Sequence, residues 1–201
     1  MYEALLPDTV YHIFNHANGN ENIFVKTENY YYFLKKYAEY IYPIAETYAY
    51  CLMGNHFHLM VEIRSEEELK KYFLTKKPDL TGFENLSGLL SQQFSNFFNA
   101  YTKAFNLQQN RRGSLFQRPF KRKPVLDESY FTELIVYIHN NPVKHGFVNN
   151  ILDWEHSSFH SYLSQKQSKL NRRYLENWFG DSEKLIAFHK EMSIKIDIMD
   201  L

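Results

Sequence analysis

The chain has 201 residues, 44% apolar and 17% aromatic, which excludes intrinsic disorder and allows a buried core without disulfide or metal staples. Lys+Arg and Asp+Glu are both 23, so the formal net charge is zero, an average that by itself argues against a polybasic nucleic-acid binder. The single cysteine, Cys51, rules out an internal disulfide; no apolar run could span a bilayer and the first residues lack the form of a secretory leader, so the expectation is a cytoplasmic protein with no membrane partner.

Thr9–Asn15 is β-branched and aromatic and reads as a first strand, followed by turn-forming residues from Ala17 to Asn22. Between Thr27 and Ile41, Tyr30, Phe33, Leu34, Tyr37, Ala38 and Ile41 recur at helical spacing, and Pro43 ends that helix. Ala45–Met53 reads as a second strand, Gly54 and Asn55 as a tight turn, and His56–Arg64 as a third strand. Its alternation puts Phe57, Leu59, Val61 and Ile63 on one face and His56, His58, Met60 and Glu62 on the other. Ser65 with Glu68 has the form of a capping box and opens a short helix. Leu86–Phe105 carries the strongest apolar stripe, and Asn110–Gly113 breaks it. Ser114–Val125 reads as extended; Asp127 caps a helix running to about Asn140, where Pro142 is expected to stop it. A last helix is predicted over Ser182–Met192. This order suits an α+β sandwich of the split βαβ kind with no internal repeat.

Three features carry chemistry. His56 and His58 project from the same strand face, where two imidazoles can share one divalent cation. Nitrogen ligands suit Mn, Zn, Fe or Ni better than Mg, which phosphate oxygens completing the shell would admit. The bland alternative is a pair of histidines on a solvated sheet face. Tyr137 and Asn141, four apart, share a helix face provided that the helical turn continues to Asn141. A phenolate is a competent nucleophile and an amide oxygen can complete a metal shell; equally, Tyr137 packs and Asn141 caps. Finally, residues 101–126 hold Lys103, Arg111, Arg112, Arg118, Lys121, Arg122 and Lys123 with no Asp or Glu, interleaved with aromatics. Cations track phosphates and rings stack bases, so this window reads as a nucleic-acid-binding surface hidden by the neutral average; the alternative is an ordinary solvated face whose aromatics belong to the core. Alternation turns Lys121 and Lys123 one way, Phe120 and Arg122 the other. Glu62 is a further candidate, as an outer partner of a ligand histidine, and His139 and His145 are substrate-contact or structural candidates.

Five collinear blocks then resemble the single-tyrosine HUH transposases, most closely the REP-associated tyrosine transposases of bacteria: YHIFN at Tyr11–Asn15, MGNHFHLMVE at Met53–Glu62, RGSLFQ at Arg112–Gln117, YIHNNPVKHG at Tyr137–Gly146 and WEHSS at Trp154–Ser158. The resemblance covers roughly residues 9–163. It implies a ferredoxin-like antiparallel sheet in a catalytic unit over 1–165; residues 166–201, which the matching blocks do not reach, are expected to form a helical extension. It makes His56, His58 and Asn141 the ligands of a divalent metal ion (Mg or Mn) and Tyr137 the catalytic nucleophile. The implied partner is single-stranded or hairpin DNA, cut and joined through a 5′-phosphotyrosine. Monomer and homodimer both stay open. A catalytically silent nucleic-acid binding module of the same fold, and more remotely a structural metalloprotein, are the alternatives.

Overall fold

In the computed structural model, which describes residues 3–76, 85–164 and 166–196, four strands form one antiparallel sheet: β1 (Val10–His16), β2 (Ala45–Leu52), β3 (His56–Ile63) and β4 (Lys121–Pro124). Their order is β2-β3-β1-β4, with β3 antiparallel to both its neighbours and β1 antiparallel to β4. Each pair of strands joined through helices is thus split by a strand of the other pair, the ferredoxin-like arrangement expected for an α+β chain with this element order.

Two helices cover one face of the sheet. The buried stripe of α1 (Thr27–Tyr40), which includes Tyr30, Phe33 and Tyr37, meets that of α3 (Leu86–Gln108), built from Leu90, Phe94, Phe97 and Tyr101. Phe57, Leu59, Val61 and Ile63 of β3 complete this core, as their alternation requires. Between α1 and α3 in the chain lies α2 (Glu66–Lys76), whose start shows the capping box: Ser65 Oγ accepts from the Glu68 N–H and the Glu68 carboxylate accepts from the Ser65 N–H.

The other face is covered by α4 (Glu128–Lys144), whose Phe131, Leu134, Ile135 and Ile138 pack on Tyr48, Ala49, Cys51 and Met60. Asp127 caps it, its Oδ1 accepting from the Tyr130 N–H at 2.7 Å. Pro142 does not stop α4; it lies inside the helix, which runs on to Lys144. Proline lacks an N–H and costs the Ile138 carbonyl its usual partner, but so near the end only that one intrahelical bond is lost. The His145 N–H still donates to the Asn141 carbonyl at 3.0 Å.

Ser114–Val125 narrows to β4 and one bridge between Ala17 and Phe116. Beyond α4 come two short helices without a sequence signal, α5 (Phe159–Tyr162) and α6 (Arg173–Phe179), and then α7 (Ser182–Ile196). Leu185 of α7 joins the core under α4. The free side of β2 is occupied: the Leu52 N–H donates to the His156 carbonyl, Ser158 to Tyr50 and Asn171 to Thr47. That leaves the four-residue β4 as the sheet's other edge. Among the described residues no helix is long and apolar enough to cross a membrane.

Candidate active site

The histidine face of β3 looks neither at solvent nor at core, but at the C-terminal half of α4. Register places Phe14 of β1 beside His58 and His16 beside His56, while Lys121 of β4 pairs with Phe14 and Lys123 with His12. His12, Phe14 and His16 alternate with Tyr11 and Ile13, which enter the core on the α1–α3 side. One sheet face therefore carries four histidines. His12, which carries no chemical signal of its own in the sequence, comes closest to His58: its Nε2 lies 2.9 Å from His58 Nδ1. The rings of His16 and His56 stack at 4.7 Å, and His145, at the end of α4, meets His56 edge-on at 5.1 Å.

The helix delivers two side chains. Tyr137 meets His58 edge-on, 5.5 Å between ring centroids, and Lys144 holds its ammonium 5.6 Å above the tyrosine ring. No hydrogen bond ties the Tyr137 hydroxyl among the described residues, and the side chain is half-buried. Because α4 continues through Pro142, Asn141 falls one turn on, with its Nδ2 donating to the Tyr137 carbonyl at 3.0 Å. Its Oδ1 is buried and accepts no hydrogen bond. An unmet acceptor of that kind costs about 1–3 kcal/mol. The amide lies close enough to His56 to favour its protonated ring.

Burial and neighbouring positive charge favour the neutral form of His12, His16, His56 and His58. Burial above all brings His12 down to about 3, with help from Lys123, and His56 to about 4, with help from His16 and His145. His58 is held well below the ordinary value by burial and by its histidine neighbours. Neutral imidazoles are the form that binds metal. His56 Nδ1 lies 2.7 Å from the Asn55 side-chain oxygen, so that nitrogen carries the proton and Nε2 keeps its lone pair. When His58 Nδ1–H donates to His12 Nε2, His58 Nε2 is likewise left as a base. Among the described residues no three His, Cys, Asp or Glu side chains form a metal-holding group. The Nε2 atoms of His56 and His58 and the orphaned Oδ1 of Asn141 have the chemistry of donors to a divalent cation.

The other expectations divide. Glu62 does not back up a histidine; it accepts from the Tyr48 hydroxyl at the far end of β3. His139 is fully buried on the opposite side of α4, bonded to His189 at 2.9 Å and to Ser158 at 2.7 Å, and is structural. The seven cations do not form one patch. Lys121 and Lys123 lie on the histidine face, over the rings of Phe14 and Tyr130. Arg118 and Arg122 bond Asn99 and Ser91 of α3 on the other side of the sheet. Lys103 and Arg112 are exposed elsewhere, and Arg111 is paired with Glu21.

A Haemophilus influenzae (strain ATCC 51907 / DSM 11121 / KW20 / Rd) protein named "Putative REP-associated tyrosine transposase" is 27% identical over 144 residues, 71% of this chain and 70% of that protein. The solved structure of a REP-associated tyrosine transposase bound to a REP hairpin superposes with a TM-score of 0.60 over 82% of this chain and 85% of that one, at 15% identity. The chain resembles a REP-associated tyrosine transposase. At 15% identity the structural likeness to that transposase speaks for the fold alone. No family model matches the chain.

Proposed function

We propose that this protein is a metal-dependent, single-tyrosine transposase-like enzyme that nicks and joins single-stranded, hairpin-associated DNA. The observation that carries the reading is that Tyr137 meets His58, whose ring meets that of His56, beside an Asn141 oxygen that is buried without a partner. A structural site would satisfy that oxygen; a binding site leaves it for a ligand.

In this reading His56, His58 and Asn141 hold the divalent ion, Mg or Mn. When bound, such an ion polarises a phosphate oxygen of the scissile bond as a Lewis acid. The Tyr137 oxygen attacks phosphorus; the phosphorus–3′-oxygen bond breaks, giving a 5′-phosphotyrosine and a free 3′-hydroxyl. The tyrosine releases its proton to solvent and the departing oxygen takes one up. Attack by another 3′-hydroxyl reverses the step on a new partner, so the bond energy is conserved and no nucleotide cofactor is needed. Lys144, over the Tyr137 ring, and Lys121 and Lys123, on the same face of the sheet, would hold the flanking phosphates.

The test is adduct formation. Purified protein is incubated with Mg or Mn and hairpin-bearing single-stranded oligonucleotides from the DNA flanking its coding region. A denaturant-stable protein–DNA adduct is expected, absent with Tyr137→Phe. Wild-type protein that binds these DNAs but forms no adduct, or an adduct that persists in Tyr137→Phe, overturns the enzymatic reading; the first outcome leaves a silent binding module.

A further inference from the structure

Helix α3 is 23 residues long yet carries a single charged side chain, Lys103. About a quarter of an ordinary soluble chain is charged. Its polar side is written instead in amides and hydroxyls, among them Ser91, Gln92, Ser95 and Asn99. Across from them runs the segment from Ser114 to Phe120 that leads into β4. The two walls enclose a groove of about 640 Å³, with the rings of Phe98, Phe116 and Phe120 along it. That volume is in the range of about 300–1,000 Å³ usual for ligand clefts.

The groove is positive and has no acid in its lining. Arg118 Nη2 donates to Asn99 Oδ1 at 3.2 Å, and Arg122 Nη1 donates to Ser91 Oγ at 2.8 Å. Arg122 also lies 5.0 Å from the Phe120 ring centroid, and its Nε is buried without a partner. No carboxylate forms an ion pair with it among the described residues. The Glu3 carboxylate acts on it only from beyond ion-pair distance; a recessed guanidinium with a spare donor and no paired carboxylate is the arrangement that recognises a phosphate. The opposite wall is tied down from the sheet: Asn15 Nδ2 donates to the Gln117 carbonyl at 3.1 Å.

We propose that this groove, on the side of the sheet away from Tyr137, binds unpaired nucleotides of the DNA, with Arg122 on a phosphate and the amides of Gln92, Asn99 and Gln117 on base edges. The proposal rests on the DNA-processing reading and adds a second subsite to it. A recessed cation between two walls favours a single strand, because a duplex presents its phosphates to protruding side chains, whereas separated bases can enter a groove. Amides that both donate and accept are the groups that tell one base edge from another. The edge strand β4 links the two sites. Lys121 and Lys123 lie on the Tyr137 face and Arg122 on the groove face, so a strand passing round this edge meets a cation on each side.

The test uses the full chain carrying Tyr137→Phe, so that binding is read without cleavage. The probes are one fluorescent hairpin bare and the same hairpin with an extension of about 12 random nucleotides at either end, within the site sizes of single-strand grooves. The extension is expected to tighten binding about tenfold. Arg122→Gln, which keeps a donor for Ser91, should abolish that gain and lower the salt slope for the extended probe by about one. Sequencing the bound pool should show base preferences that Gln92→Ala/Asn99→Ala erases, with melting temperature confirming that both variants fold. An extension that gives no gain, a gain that survives in both variants, or variants that weaken bare and extended probes equally each overturn the groove. If adducts form at Tyr137 while the groove variants behave like wild type, the groove fails and the enzymatic reading stands. If no DNA yields an adduct yet the variants lose the gain, the reverse holds.

Discussion

The two faces of the sheet are both covered by helices, yet they are built on opposite principles. Under α1 and α3, Phe33, Phe57, Phe94 and Phe97 interlock, and the polar groups among them find partners within the fold, as when the Tyr37 and Thr47 hydroxyls bond each other at 2.7 Å; Arg122 Nε, at the edge beside the groove, is the exception. Under the C-terminal half of α4 lie neutral histidines, a tyrosine with a free hydroxyl and a buried amide oxygen with no partner. Burial alone therefore does not separate core from site. What separates them is whether the buried polar groups are satisfied within the fold or left for a ligand.

The sharpest way to break that contrast is to truncate neighbours on β3. Phe57 is fully buried on the core face, between His56 and His58 on the other. Phe57→Ala is expected to cost about 3–5 kcal/mol in urea unfolding. His58→Ala should cost clearly less while abolishing the Tyr137 adduct. Equal losses of stability would make the histidine face a second core.

The outer pin of α4 is acid-sensitive. His189 of α7 is brought down to about 4 by burial, and its partner His139 is held well below the ordinary value by burial and by His189 and His160. Both are neutral in the folded chain, whereas unfolded histidine takes up a proton near pH 6.5. Protons thus bind the unfolded state more readily between about pH 6.5 and 4. Stability is fully present above that window and falls as pH drops through it, by on the order of 3 kcal/mol for His189 alone. Hydrogen exchange should show α7 losing protection on acidification before α1 and α3 do. His189→Phe should flatten the dependence.

His12 offers a finer probe. As the partner of His58 Nδ1 it would orient a ligand histidine, and loss of such a partner costs about 10–100-fold in metal affinity. His12→Ala should weaken Mn binding by that factor in a direct titration, with His12→Gln recovering part of it by offering a carbonyl acceptor. Unchanged affinity in His12→Ala would reduce His12 to packing.

Asn141 provides the smallest and most telling effect. Asn141→Leu removes the unmet acceptor, so melting should be unchanged or raised by the equivalent of about 1 kcal/mol, while adduct formation is lost. A marked loss of stability would mean that the amide serves the fold.

Particular residues show how much of this was legible in advance. The alternation of β3 gave both of its faces, and the spacing of Tyr137 and Asn141 gave their common side of a helix, because those periods are local properties of the chain. Pro142 misled for the same reason: its local preference says stop, while a proline in the final turn costs only one hydrogen bond and α4 runs through it. Had α4 ended at Asn140, Asn141 would not stand one turn beyond Tyr137. Alternation puts Glu62 on the histidine face, but only packing decides that its partner is Tyr48.

The sequence by itself determined the element order, the two candidate pairs on β3 and α4, and the acid-free basic window, all of which depend on neighbours within a few residues. Tertiary structure alone decided that His12 and His16 join them, since that depends on the register of β1 against β3, in which His16 meets His56 and His12 meets Met60 beside His58. It also decided that the basic window is divided by β4 between two faces, because a strand's side chains alternate but only its place at the sheet edge determines what each side meets.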